Sequence, residues 1–417
     1  MAYPNMTAGS KIPEKKERAQ STSAFALREL DKIANTASFF GFLPIRTPEI
    51  TKEDISKASI FRNGDIKRKQ DEDYIIPQPE EKVALLRTYL EHNMASLPHP
   101  LMLYYKKPLS RQGEKKKSNA FQCGLDIIGT TNSVAEALII KTIYAILTEQ
   151  GFDSMYIEIN TSGDKDSIAR FDREMASYVR KNFGEIPSDL RNAFKKDPLE
   201  LLRTTDERCA ELRERAPKPM GYLSEASIQH FKEVLEYLET LNIPYKINEN
   251  LIGDKTYCSQ TIFEIRGNGK GKDQENILLA SGCRHNYFSK KIGFKKDIPI
   301  MSATICFKKV PENLYKITIK KIVRPKFYFI QLGFRARLKS LIIIDTLRKA
   351  KIPVYHSLTK DKFVNQLSTA ENLKLSHLII MGQKEALEDT VVIRHMETRA
   401  QDTVSLCDLS QYLQKLK

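Results

Sequence analysis

The sequence predicts an α+β protein: a mainly antiparallel sheet flanked by helices, a helical insertion, and a separate α/β unit at the C-terminus. Three observations carry this. Short strand-like runs cluster between Leu101 and Ile159 and return between Pro244 and Leu279, bounded by turn-forming residues as strands are. Residues 164–240 are charged and helix-favouring, with few strand signals. Residues 327–417 alternate strand and helix, the pattern of a small mixed sheet. At 417 residues the chain is too long for one ordinary core, so two or three domains are expected.

Taken in order, residues 1–20 are rich in Lys, Glu, Ser and Pro and aperiodic, as a mobile arm would be. Phe25–Phe40 carries Leu27, Leu30, Ile33 and Ala37 at helical spacing, and Gly41 is its stop. The prolines at 44 and 48 confine the extended stretch that follows to an edge or a turn. Leu101–Tyr105 and Phe121–Ile128 read as strands flanking a basic hairpin, Lys115–Asn119. A helix from about Asn132 to Gly151 leads to a strand at Ser154–Ile159. After the insertion come strands at Pro244–Asn250, Tyr257–Arg266 and Asn276–Leu279, with Gly267–Gly271 as a hairpin loop. Val323–Lys326 is a linker. Beyond it the expected strands are Phe327–Leu332, Ile352–Leu358, His377–Met381 and Thr390–Arg394, with helices at Ala336–Lys349 and Lys360–Leu373. The domain boundaries that follow are 1–20, 21–322 (with the insertion at about 164–240) and 327–417.

Composition narrows the function. With 41% apolar and 29% charged residues the chain is globular, and no run of eighteen apolar residues offers a membrane span, so no membrane partner is expected. The first residues lack an apolar signal core, which points to the cytoplasm. The six cysteines show no CxxC and no Cys/His pair at ligand spacing, so reduced thiols and no metal site are expected. A formal net charge of +15 favours a polyanionic partner, because clustered Lys and Arg gain affinity by displacing phosphate counterions.

Several motifs appear in an ordered series. The helix before Gly41-Phe-Leu-Pro-Ile-Arg-Thr-Pro48 is followed by a strand, basic loop and strand from Tyr104 to Gly129, whose second strand reads Phe-Gln-Cys-Gly-Leu-Asp-Ile-Ile-Gly. Glu158-Ile-Asn-Thr-Ser-Gly163, Asp197-Pro-Leu-Glu-Leu-Leu202 and the Thr-Ile-Phe-Glu within Tyr257–Ile265 come next, then Ile380-Met-Gly-Gln-Lys-Glu385 and Ile393–Gln401. Over residues 25–417 this series resembles the histidyl-tRNA synthetase family of class II aminoacyl-tRNA synthetases. The resemblance implies a class II antiparallel sheet, an anticodon-binding-like C-terminal domain, and a homodimer built through Phe25–Pro48. It also implies tRNA as partner, histidine as substrate, and ATP with Mg2+ as cofactors if the chain is active.

Residue by residue, Arg111 matches the motif 2 arginine that grips the α-phosphate, if the hairpin is shortened by two residues; an arginine fork suits two phosphate oxygens. Glu80 matches the glutamate of Arg-Pro-Glu-Gly-Thr that binds the α-amino group. Gln122 and Asp126, on one strand face, match the polar residues that hold histidine, and a carboxylate at 126 can accept an imidazole N–H. Tyr257 joins them as a tyrosine of the histidyl signature. Arg284 and Lys309 complete the ATP set with Arg111, and Arg111 and Lys309 are the catalytic candidates. Three departures stand against this. Arg-Gly-Leu-Asp-Tyr-Tyr reads as Gly253-Asp-Lys-Thr-Tyr-Cys258, so glycine replaces its arginine. Gly-Gly-Arg-Tyr-Asp reads as Gly282-Cys-Arg-His-Asn286. Motif 3 Gly-Leu-Glu-Arg reads as Cys306-Phe-Lys-Lys309, so Lys309 keeps a charge but not the planar fork.

These departures favour a degenerate paralogue that binds tRNA, histidine or both without ligating. An active, divergent histidine–tRNA ligase is the second reading. A regulatory partner like the synthetase-related subunit of ATP phosphoribosyltransferase is the third, and the presence of residues 327–417 counts against it. Arg335, Arg337, Lys339 and Lys360 in that region are the expected tRNA-binding cations.

Overall fold

The computed structural model describes residues 31–61, 78–108, 121–268, 276–307, 325–359 and 362–416. The predicted arm, the hairpin Lys115–Asn119, most of the 267–271 loop and the 25–30 part of the first helix lie outside them. The strands, in chain order, are β1 (Leu43–Pro44), β2 (Leu101–Pro108), β3 (Phe121–Ile128), β4 (Asp153–Thr161), β5 (Tyr245–Ile247), β6 (Ser259–Asn268) and β7 (Ile277–Arg284). They continue with β8 (Ile300–Phe307), β9 (Phe327–Gln331), β10 (Val354–His356), β11 (His377–Met381), β12 (Thr390–His395) and β13 (Gln401–Ser405). By internal contacts the chain forms two units, one of Met1–Pro48, Leu85–Lys106 and Pro311–Lys417, the other of Glu49–Ala84 and Lys107–Val310.

In the second unit the strands run β3-β8-β7-β6-β4-β5, antiparallel except for the parallel pair β4 and β5. The period of two sorts their side chains. On β3, Cys123, Leu125 and Ile127 point one way, and on β8 their register partners Ile305, Ala303 and Met301 share that face. All six are at most 1% exposed. The helix Val134–Glu149 packs on β3 and β8. It is apolar around most of its circumference, as a helix sealed between a sheet and a further helix must be, and Glu225–Thr240 covers it from outside. The opposite face of the same strands is polar: Asp126, Ser302, Thr304 and Ser281 lie there.

The insertion is helical as expected, with helices and turns alone between Thr161 and Tyr245. Asp164 caps Lys165–Lys181 by accepting from the Ser167 amide at 2.9 Å. Ser224 caps Glu225–Thr240 and donates to Asp164, so the two helix starts are tied together. Phe171, Met175 and Val179, four residues apart, form a stripe that packs with Phe194, Leu201, Leu202 and Leu212.

In the first unit β1 pairs in parallel with β2, and Lys106 bonds Asp31, the N-cap of Lys32–Phe39. Its larger sheet runs β10-β9-β11-β12-β13, with β9 parallel to β10 and β11 and the remaining pairs antiparallel. This is the predicted mixed sheet with one strand more, since β13 is not among the expected elements. Its helix Phe334–Lys349 buries Ala336, Leu341, Ile343, Ile344 and Leu347. Among the described residues no helix is long and apolar enough to cross a membrane.

Strand β8 was also not expected as a strand, yet it sits at the centre of the second unit's sheet. Close approach there depends on Gly282, opposite Ala303: a Cβ at 282 would come within 2.6 Å of the Phe263 ring and 2.7 Å of the Ser302 carbonyl. Gly282→Ala therefore overpacks the sheet, and denaturant unfolding should show a loss of about 1–3 kcal/mol. A variant as stable as the parent would contradict this register.

Candidate functional site

The polar sheet face carries a row of three directly opposed residues: Asp126 on β3, Ser302 on β8 and Cys283 on β7. Opposed residues on adjacent strands share a face, so the row is fixed by register. The helix Pro79–Glu91 sends Lys82 into it from its first turn. Lys82 Nζ lies 2.6 Å from Asp126 Oδ1, the Ser302 hydroxyl donates to the same oxygen, and the Lys82 and Asp126 side chains are fully buried. Removing two charges from water is costly, and close contact with extra hydrogen bonds is what offsets it. Asp126 Oδ2 is buried without a partner among the described residues, as are Ser281 Oγ and Thr304 Oγ1, which oppose each other two positions along the same face.

The residues assigned to histidine lie on or next to the elements that carry this row. Glu80 is buried in the first turn that also carries Lys82. Gln122 is half-buried, four residues before Asp126 and opposite Cys306. Tyr257 is buried, its ring stacked on His285 at 5.7 Å and edge-on to Phe61 at 6.0 Å. Lys82 was not foreseen. The Arg-Pro-Glu-Gly-Thr segment places a threonine at its position, and a lone lysine in a helix start normally reads as surface.

Of the ATP set, Arg111 and Lys309 lie outside the described residues. Arg284 is fully buried and turned away from the row. Its guanidinium donates to both Glu136 oxygens, to the Thr130 carbonyl at 2.7 Å and to the Asn132 carbonyl at 3.1 Å. His230 Nε2 lies 2.7 Å from Glu136 Oε1. Burial alone would raise the Glu136 carboxyl, but Arg284 and then His230 outweigh it and hold it down at about 2. Arg284 thus pins the end of β7 to the start of the helix Val134–Glu149.

Gly253 stands where the family signature has arginine. A Cβ there would meet Cys258 Cβ at 2.7 Å and Sγ at 3.1 Å. Its carbonyl accepts from Arg203 Nη2 at 3.0 Å, and Arg203 is in turn held by Asp197 and Glu200 of the Asp-Pro-Leu-Glu stretch.

Contrary to the sequence expectation, the cysteines do not stay scattered. The β6–β7 pairing places Cys283 opposite Ile262 and Ser259 opposite Arg284, and Cys258 reaches Cys283 with Sγ–Sγ 3.2 Å. His285 Nε2 is 3.7 Å from Cys283 Sγ. Donation from the Cys258 thiol draws the Cys283 thiol down to about 5, against burial and with help from His285 and Lys82. Burial, then Cys283, pushes Cys258 up. Linear spacing hides this pair because 25 residues and a hairpin separate them; Cys283-Arg-His285 was the only visible hint.

In the C-terminal region Arg335 is exposed, Arg337 is half-buried and Lys339 pairs with Asp389. Lys360 lies outside the described residues.

Residues 330–416 match the anticodon binding domain family. The chain is 24% identical over 401 residues to the chloroplastic histidine–tRNA ligase of Porphyra purpurea, covering 93% of this chain and 91% of that one. It is 27% identical over 401 residues to the chloroplastic histidine–tRNA ligase of Gracilaria tenuistipitata var. liui, covering 93% of each. The apo histidyl-tRNA synthetase of S. aureus has the same fold, with TM-score 0.52 and 21% identity over 91% of this chain and 93% of that one. Over most of its length the chain is thus similar to histidine–tRNA ligases, and its residues 330–416 match an anticodon binding domain.

Within that family fold the Glu136 cluster has a measurable signature. A carboxyl at about 2 in the fold and 4.5 in the unfolded chain contributes stability that is complete above pH 4.5 and lost as pH falls through about 2. Urea unfolding between pH 5 and 2 should lose on the order of 3 kcal/mol more in the parent than in Glu136→Gln. Parallel pH profiles would show that Glu136 is not so held.

Proposed function

We propose that this protein is a histidyl-tRNA synthetase-like tRNA-binding protein that does not activate histidine. One observation carries the reading: Lys82 Nζ sits on the carboxylate of Asp126, the group that the family resemblance assigns to the substrate's imidazole. One of its two acceptor oxygens, Oδ1, is thus taken by the chain itself. Two further features support it. The site of the missing signature arginine is crowded by Cys258, and Arg284 is committed to Glu136. An adenylation transition state builds negative charge on the α-phosphate, and each lost donor costs on the order of 10²–10³ in rate.

For tRNA, the support is the match of residues 330–416 to an anticodon binding domain, the net charge of +15 and the exposed Arg335 at the start of its helix. A homodimer through the 25–48 region and a cytoplasmic location belong to the same reading. The second reading, an active ligase using ATP and Mg2+, draws on the relatives' ligase activity and on the partnerless Asp126 Oδ2, Ser281 Oγ and Thr304 Oγ1, which could meet a polar substrate.

The purified chain with ATP, Mg2+, histidine and labelled pyrophosphate should give no histidine-dependent exchange above background. Robust exchange that disappears in Arg111→Ala would establish the second reading instead. Lys82→Thr should lose about 3–5 kcal/mol of stability, because it strands a buried carboxylate. Histidine should raise the melting temperature of that variant and leave the parent unchanged.

On the RNA side, tRNA affinity should fall steeply with salt. Arg335→Glu in the full chain should weaken it several-fold at low salt and flatten the log–log slope by about one. Unchanged affinity and slope would move tRNA contact away from this helix.

A further inference from the structure

We propose that Cys258, Cys283 and His285 form a binding site for a soft divalent cation, zinc by preference, inside the polar face of the sheet. The three ligand atoms lie within 4.8 Å of one another. Their residues are at most 4% exposed. The site is built in three respects. Cys283 and His285 alternate along one chain direction at the end of β7, and the β6–β7 register carries Cys258 to them. His285 Nδ1 lies 3.2 Å from the Tyr257 carbonyl, so its N–H donates there, and the other ring nitrogen, Nε2, faces Cys283 Sγ at 3.7 Å. Metal-binding histidines are oriented by this kind of carbonyl contact. Tyr257 also stacks on the imidazole, so ring and backbone of one residue hold the ligand from two sides.

The dimensions suit zinc. Tetrahedral bonds of about 2.3 Å to sulfur and 2.0–2.1 Å to nitrogen imply ligand–ligand edges of about 3.6–3.8 Å. The Cys283–His285 edge is already 3.7 Å, and the Cys258–Cys283 edge of 3.2 Å has to open by roughly half an ångström. Donor type points the same way, since two thiolates and an imidazole favour zinc over hard cations. Charge balance agrees: two thiolates neutralise the dication, and Lys82 beside them is already neutralised by Asp126, so the buried cluster gains no net charge. Binding releases the thiol protons to solvent, and three protein ligands leave one position for a non-protein ligand. This inference stands apart from the tRNA-binding proposal and survives its failure.

The test uses the full chain, stripped with chelator under reducing conditions and titrated with Zn2+ or Co2+. The expected result is one metal per chain by elemental analysis and a thiolate-to-cobalt charge-transfer band. Cys258→Ser, Cys283→Ser and His285→Ala should each lose the band with an unchanged far-ultraviolet circular dichroism spectrum, whereas Cys306→Ser retains it. Should the three variants fail to fold, the parent's stoichiometry and spectrum decide. Under one-tenth of a metal per chain with no charge-transfer band would overturn the site. So would a Cys258–Cys283 disulfide found by mass spectrometry in protein kept with excess zinc.

Discussion

The register of the antiparallel sheet is the constraint on which the rest depends. Side chains alternate along each strand, so Leu125 and Ala303 can seal against the helix Val134–Glu149 only if Asp126 and Ser302 face the other way. A slip of one residue would bury Asp126 under the helix and expose the core, which costs far more than any single contact could return. Gly282 protects the same register, since only a residue without Cβ lets β7 lie against Phe263 and the Ser302 carbonyl. The polar row is therefore a by-product of core packing, and its geometry is as rigid as the core itself.

Rigidity lets a single side chain decide how the carboxylate of the row is paired. A carboxylate held on a strand and stripped of water must find a donor from somewhere. In a substrate-binding protein that donor can arrive with the ligand. Here Lys82 supplies it from the helix Pro79–Glu91, and Ser302 adds a second hydrogen bond to the same oxygen. An entering imidazole would meet an Asp126 Oδ1 that already holds an ammonium and a hydroxyl. The ion pair need not stabilise the fold greatly, because buried pairs often only balance their desolvation.

Much of the fold was legible because its signals are local. Periodicity located Val134–Glu149, and Gly41, with φ +91°, ends the first helix where expected. β8 and β13 escaped because Ile300–Phe307 mixes apolar, small and hydroxyl residues, and Gln401–Ser405 is mostly exposed. At the site, single residues were legible and their partners were not. Asp126, Gln122, Glu80 and Tyr257 could be named from motifs, and the structure brings Asp126 into a charged row. What could not be read was pairing across sequence distance. Lys82 is 44 residues from Asp126, Cys258 is 25 from Cys283, and Arg284 is 148 from Glu136. Arg284 shows the limit most clearly, since an arginine in a ligand motif and one in a structural clamp look alike until their partners are known.

The altered positions are also coupled to one another. An arginine at 253 would collide with Cys258, whose own thiol is hydrogen-bonded to Cys283, and Cys283 neighbours both His285 and the Ser302–Asp126–Lys82 row. Residues in contact change stability and function non-additively. Restoring one family residue at a time would therefore cost stability, through a clash at 253, a broken thiol pair at 258 or 283, or a stranded carboxylate at 82. The Gly253, Cys258, Cys283 and Lys82 positions form one packed arrangement, and its alternatives differ by several simultaneous substitutions. That is the physical reason to regard these departures as a single alternative site rather than as separate losses.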